Sequence, residues 1–269
     1  MRLALPILAL AVLAGPASAA PCGGDFGAFV AAMKAEAIAA GQPADVVDRF
    51  FDGVRQDGAV LKADRSQGVF RKSFLEFSKS LISKDRMSRG LAKAQEWDAV
   101  FQRAEAEFGV PRGILLAFWA FETDYGAVQG DFNTRNALVT LAHDCRRPEL
   151  FQPQVLAAVE LFRLGEFDQA TTGAWAGEIG MVQMLPADIL ERGVDGDGDG
   201  LVTLKTSVPD ALMSGAKMLA HHGWRGDQPW MQEVTLPASF EWSLTGLGTE
   251  MPVEQWAAMG VQLRQGMLP

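Results

Sequence analysis

The sequence predicts a mainly α-helical protein with a small β portion toward its C-terminal end. Three observations lead there. Apolar residues recur at helical spacing in one segment after another. Gly and Pro fall between those segments rather than inside them. The stretch from Trp230, "WMQEVTLPASFEWSL", alternates instead and contains a proline, as short strands do.

Residues 1–19 read as an export leader and not as part of the fold. Arg2 is the positive start, Leu3 to Leu13 the apolar stretch, and Ala17-Ser18-Ala19 the small-residue cleavage site. Cys22 follows Pro21, where a lipid-anchor signal needs Gly or Ala, so no anchor is expected there. After leader removal no segment carries about 18 uninterrupted apolar residues, so no transmembrane segment is expected.

Residues 20–105 form a helical N-terminal subdomain in this reading. Asp25 caps the first helix, with Phe26, Phe29, Val30, Met33 and Ile38 as its apolar positions and Gly41 as its stop. Val46, Val47, Phe50, Phe51 and Val54 make a second stripe. Phe70, Phe74, Phe77 and Leu81 make a third, and "EWDAVFQRAEAEFG" a fourth that stops at Gly109. Residues 106–228 form a second region. Pro111, favoured at a helix start, opens the helix that ends in "AFWAFETDYG". A loop, "GAVQGDFNTRN", leads to the apolar run "ALVTLAHDC" and the helix "FQPQVLAAVELFRLG". The glycine-rich "GAWAGEIGMVQMLPADILERG", the acidic "DGDGDGLVTL" and the helix "DALMSGAKMLAHHG" follow. Residues 229–269 are the small β-containing segment.

The chain carries 24 Lys and Arg against 33 Asp and Glu, a net charge of −9. That balance argues against nucleic acid and anionic membrane surfaces as partners. Its two cysteines, Cys22 and Cys145, are read as one disulfide in an oxidising exported compartment. With only 3 histidines, a Cys/His zinc site has too few ligands.

Glu122 follows Leu115, Leu116, Phe118, Trp119 and Phe121 directly. It falls in the last turn of its helix, at the negative pole, beside apolar side chains. Both surroundings push a carboxyl pKa upward. A raised pKa keeps the acid protonated and able to donate near neutral pH. On spacing alone, a solvated glutamate at a frayed helix end competes with this reading. Asp124 lies two residues on and faces another side, so it is read as a solvated or capping residue.

The acidic run places Asp195, Asp197 and Asp199 at positions 1, 3 and 5 of a calcium-type loop, with Gly200 at the turn and the Leu201 carbonyl next. The twelfth position is Thr206 rather than Glu, and Asp210 is the candidate replacement. A flexible acidic turn is the plainer alternative. His143, His221 and His222 are read as structural, as is Trp224. Trp175, Trp224 and Trp230 have the chemistry to stack on sugars, although burial is the commoner fate of an aromatic.

"ETDYG" resembles the catalytic signature of the lytic transglycosylases of the membrane-bound type B family. "FGVPRGILLAFWAFETDYG", "NALVTLAHDCRR", "GAWAGEIGMVQMLP", "DGDGDG", "HHGW" and "ADRSQ" are similar to further motifs of that family, in order, over about Phe26 to Pro237. The resemblance implies a lysozyme-like catalytic lobe and a periplasmic enzyme acting on peptidoglycan glycan strands. It implies that Glu122 alone serves as acid and then base on the MurNAc-GlcNAc β-1,4 bond, leaving a 1,6-anhydro end. No cofactor is required for that chemistry, and calcium would be structural. It also implies that Gln183 lies in the cleft; Gly177 and Gly180 would then let the protein backbone approach the glycan, and Tyr125 would pack beside the acid. Ala174, Met181 and Val182 depart from the family's usual residues, which removes one expected polar contact. Family members continue into a terminal segment with an aromatic-Asn pair, so residues 229–269 are expected to be shortened. Two rivals stay open: a lysozyme-type muramidase using water, and a non-catalytic calcium-dependent wall-binding protein.

Overall fold

The computed structural model describes residues 20–66, 73–246 and 248–265. The expected leader, Gln67 of "ADRSQ" and the first residues of the third stripe, Val69 and Phe70, lie outside them. The chain forms two units that part after Trp224.

The first unit is helical, and its early elements follow the apolar stripes. Helix α1 (Phe26–Ala39) is capped by the Asp25 carboxylate, which accepts from Ala28 N at 2.8 Å. It buries Phe29, Met33 and Ala37, four residues apart on one face. Helix α2 (Ala44–Phe51) buries Val46, Val47, Phe50 and Phe51. Helix α4 (Phe74–Leu81), which follows α3 (Gly58–Arg65), opens on a reciprocal capping box of Ser73 and Glu76. Helices α5 (Lys84–Glu96), α6 (Asp98–Phe108) and α7 (Arg112–Thr123) pack against one another. The expected boundary at residue 105 therefore falls inside a helix.

Helices α3 and α5 have no apolar stripe to announce them. The buried positions of α5 are Gly90 and Ala94, small residues that let a charged helix come close to its neighbours. At Gly90 a side chain would meet the Tyr125 hydroxyl at 2.4 Å.

Helix α8 (Thr134–His143) is buried at every position and forms the centre of the unit. Helix α9 (Pro148–Leu164) packs along it, and α10 (Pro186–Arg192) packs against α9. Helix α11 (Val208–His221) lies against α6, α7 and α10. Strand β1 (Phe132–Asn133) pairs antiparallel with β2 (Thr172–Gly173), Phe132 opposite Gly173. This ladder was not anticipated, because two residues per strand give no readable alternation. It brings the glycine-rich loop to the start of α8.

Cys22 and Cys145 form the expected disulfide, with Cα atoms 5.2 Å apart across 123 residues of sequence. Nearby, the buried Asp64 of α3 pairs with both Arg146 and Arg147. His143 is structural, its ring between Phe26 and Phe29 and its Nε2 3.2 Å from Gly24 O.

In the second unit β3 (Val234–Thr235) pairs antiparallel with β4 (Gln262–Leu263), and α12 (Val253–Ala258) lies between them in sequence. Phe240 and Val261 are buried, and the Phe240 ring stacks with Trp256 at 6.3 Å. Trp230 and Trp242 are exposed. No helix among the described residues is long and apolar enough to cross a membrane.

Candidate active site

Glu122 sits in the last turn of α7, where the sequence places it. The helix stops two residues earlier than Gly126. Asp124, Tyr125 and Gly126 all adopt left-handed backbone, at φ 53°, 63° and 84°. Among the described residues the only other non-glycine with positive φ is Gln183, at 49°. Such conformations cost about 1–3 kcal/mol each and persist where surrounding contacts enforce them.

Those contacts are visible. Asp124 is the C-cap of α7, one of its two expected roles, but its carboxylate is not left to solvent. It accepts from Arg86 Nε at 3.0 Å and from Arg89 Nη2 at 2.7 Å, both on α5. Desolvation pushes its carboxyl up, but the hydrogen bonds from the two arginines outweigh it and leave it below the ordinary value. Tyr125 donates its hydroxyl to Arg86 O at 3.0 Å and packs edge-on to Trp119 at 5.5 Å. Its polar end is thus occupied.

Thr123, fully buried, joins the helix to the glycine-rich loop. Its hydroxyl donates to Met181 O at 2.6 Å and accepts from Gly126 N at 3.0 Å. Sequence reasoning assigned Thr123 no role, although the "ET" pair of the motif carried the signal. Gln183 donates its amide to Gly180 O at 2.7 Å and Gln129 O at 3.4 Å. Gln129 in turn donates to Gly126 O at 3.1 Å. The end of α7 and the loop carrying Gln183 are therefore one connected structure.

Gly177 and Gly180 do a different job from the one expected. Both are buried, with φ 89° and 80°. A side chain at Gly177 would meet Leu138 at 2.2 Å, and one at Gly180 would meet Leu204 at 2.5 Å. The close approach they permit is of protein to protein, and it seats the loop on α8 and on the turn at Leu204 that follows the acidic run.

The Glu122 side chain remains open to solvent on one side. Desolvation by its neighbours raises its pKa above the ordinary carboxyl value, and the negative charge of Glu178 adds to the rise. The direction expected from the sequence holds, and Glu178 is an unexpected contributor. An apolar hollow of about 250 Å³ lies between α5 and α7, lined by Leu81, Met87, Leu91, Leu116, Phe121 and Tyr125 among others, and Glu122 is not in its lining.

The acidic loop forms a separate cluster. One carboxylate oxygen from each of Asp195, Asp197 and Asp210 lies within 4.8 Å of the others. Asp210 is fully buried and accepts from Gly196 N at 2.8 Å and Thr203 N at 2.7 Å. Asp195 accepts from Gly198, Asp199 and Gly200 N. Asp199 is exposed, stands outside the cluster and accepts from Leu201 N at 2.9 Å. Asp210 thus belongs to the cluster, whereas Thr206 is exposed on the turn.

Comparison with known proteins agrees with this geometry. The Transglycosylase SLT domain matches residues 25–268. Membrane-bound lytic murein transglycosylase B of Escherichia coli (strain K12) is 30% identical over 200 residues, covering 72% of this chain and 53% of that protein. SltB3 of Pseudomonas aeruginosa, solved in complex with NAG-anhNAM-pentapeptide, is 36% identical with a TM-score of 0.84, over 92% of this chain and 66% of that one. The Escherichia coli lytic transglycosylase SLT35, solved in complex with calcium, is 25% identical with a TM-score of 0.79, over 92% of this chain and 80% of that one. The chain thus spans about half the length of the curated relative it matches. The fold is the mainly helical, lysozyme-like one of these enzymes. With a domain match along nearly the whole described chain, the protein belongs to the Transglycosylase SLT domain family.

Proposed function

We propose that this chain cleaves the MurNAc-GlcNAc β-1,4 bond of peptidoglycan and leaves a 1,6-anhydro-MurNAc end. The observation that carries the reading is Glu122, braced at the end of α7 with its carboxyl held above the ordinary value. In the first step its proton passes to the glycosidic oxygen as the C1–O bond breaks. In the second, its carboxylate takes the proton of the MurNAc C6 hydroxyl, whose oxygen closes on C1. No water is consumed, and the acid ends as it began. Support comes from the relative SltB3, whose ligand contains anhNAM, the sugar such a reaction leaves. In this reading Gln183 and Tyr125 line the bound glycan. Residues 106–228 are the catalytic lobe in this reading, residues 20–105 the helical subdomain, and residues 1–19 a leader that directs the chain to the periplasm. Digestion of purified sacculi tests it: soluble muropeptides resistant to borohydride reduction are expected, and reducible ends would favour a muramidase.

The acidic loop offers calcium three carboxylates, Asp195, Asp197 and Asp210; in this reading Asp199 and the Leu201 carbonyl would complete the cage. The ion would hold the loop rigid and take no part in the bond cleavage. Calcium at a hundred times its Kd is expected to stabilise the fold by roughly 2.7 kcal/mol, read as a rise of several degrees in Tm. Asp195→Asn should abolish that response. A Tm indifferent to millimolar calcium would contradict the assignment.

A further inference from the structure

Glu36 stands in the last turn of α1, and the proposed reaction makes no use of it. Its side chain is half-buried, and one hydrogen bond reaches its carboxylate: Ala20 N donates to Oε2 at 3.3 Å. Among the described residues no cation pairs with it. Lys34, two residues before it on α1, is bonded to Asp48 at 2.7 Å. The last turn of a helix is also its negative pole, where a second negative charge is disfavoured. A half-buried carboxylate there, facing a single neutral amide, is poorly compensated for the water it has lost.

Ala20 is held on its other side as well. Gln152 of α9, only 6% exposed, donates Nε2 to Ala20 O at 2.7 Å. Two residues on, Cys22 is bonded to Cys145, and Gly23 N donates to His143 O at 2.8 Å. Contacts from α1, α8 and α9 thus fix where the nitrogen of Ala20 lies. Ala20 is also the residue that follows the small-residue cleavage site Ala17-Ser18-Ala19.

We propose that Glu36 and Gln152 form a site for the α-ammonium of Ala20, which leader removal creates. A leader-removing protease adds water across the Ala19–Ala20 amide. The leader departs with the Ala19 carboxylate, and the proton that this carboxyl gives up ends on the Ala20 amine. An α-amino group is charged below about pH 8. The neutral N–H that faces Glu36 thereby becomes an ammonium with three donors. It stays in place, because Gln152 holds the carbonyl and the disulfide holds the chain two residues on. Glu36 gains the cation it lacks, and the processed chain gains an ion pair that the precursor does not have. Processing therefore fastens the N-terminal segment to α1.

This inference rests on residues 1–19 being a leader, and the experiment separates the two. The exported protein is sequenced from its N-terminus. Tm is then measured for mature wild type, Glu36→Gln, a chain carrying Gly-Ser ahead of Ala20, and that extended chain with Glu36→Gln. The extension keeps the amide N–H of Ala20 and moves the ammonium away from Glu36. Sequencing should begin at Ala20. Each single change should lower Tm by about 2–4 °C, and Glu36→Gln should cost under about 1 °C in the extended chain. The Ala20 amine of mature wild type should also react with an acylating reagent several-fold more slowly than that of Glu36→Gln, read by mass spectrometry of the N-terminal peptide. An equal loss from Glu36→Gln in the mature and extended chains would overturn this inference alone. So would mature and extended wild type melting together, a comparison that needs no change at Glu36. An N-terminus elsewhere than Ala20 would overturn the leader reading on which it rests.

Discussion

Glu122→Gln is expected to lower the rate of peptidoglycan cleavage by about 10³-fold, within the range general acid catalysis contributes. The amide keeps the shape of the side chain and cannot donate a proton to the leaving oxygen. The proposed reaction has no second catalytic acid to take over. Asp124 is held ionised by Arg86 and Arg89, so it has no proton to give. Because Glu122 is open to solvent on one side, the variant should keep the wild-type circular dichroism and Tm. Residual lysis within tenfold of wild type would remove Glu122 from the chemistry.

The second large effect concerns stability. Replacing Cys22 and Cys145 together by serine is expected to cost about 2–5 kcal/mol. For a domain of this size that corresponds to a fall in Tm of about 5–15 °C. The bond closes 123 residues of sequence and ties the segment before α1 to the end of α8. Gly23 N donates to His143 O at 2.8 Å, and Gln152 donates to Ala20 O at 2.7 Å, so the tether also aligns hydrogen bonds that it does not itself make. Reduced wild type and the double variant should melt together. A shift below about 2 °C would mean that these hydrogen bonds hold the segment without the covalent link.

Much of the fold is legible in the sequence because much of it is local. The stripe of α2 reads directly as Val46, Val47, Phe50 and Phe51, and all four are buried. Pro111 marks the start of α7, and the run into Glu122 marks its last turn, although the helix stops short of Gly126. What fails to show is decided between distant segments. The buried face of α5 consists of Gly90 and Ala94, which no hydrophobic pattern reveals. Yet α5 supplies the two arginines that make a left-handed Asp124 tolerable. The glycines at 177 and 180 look like substrate-facing residues until Leu138 and Leu204 are seen filling the space. Glu178 is 56 residues from Glu122, and only the fold of the glycine-rich loop sets one charge against the other.

The central claim is that the substrate's own C6 hydroxyl, and not water, closes on C1. Digestion of sacculi in oxygen-18 water, followed by mass spectrometry of the muropeptides, tests it directly. The account predicts products about one water lighter than hydrolytic fragments and free of the heavy isotope. Fragments carrying oxygen-18 at the new C1 end would contradict it and make the protein a muramidase.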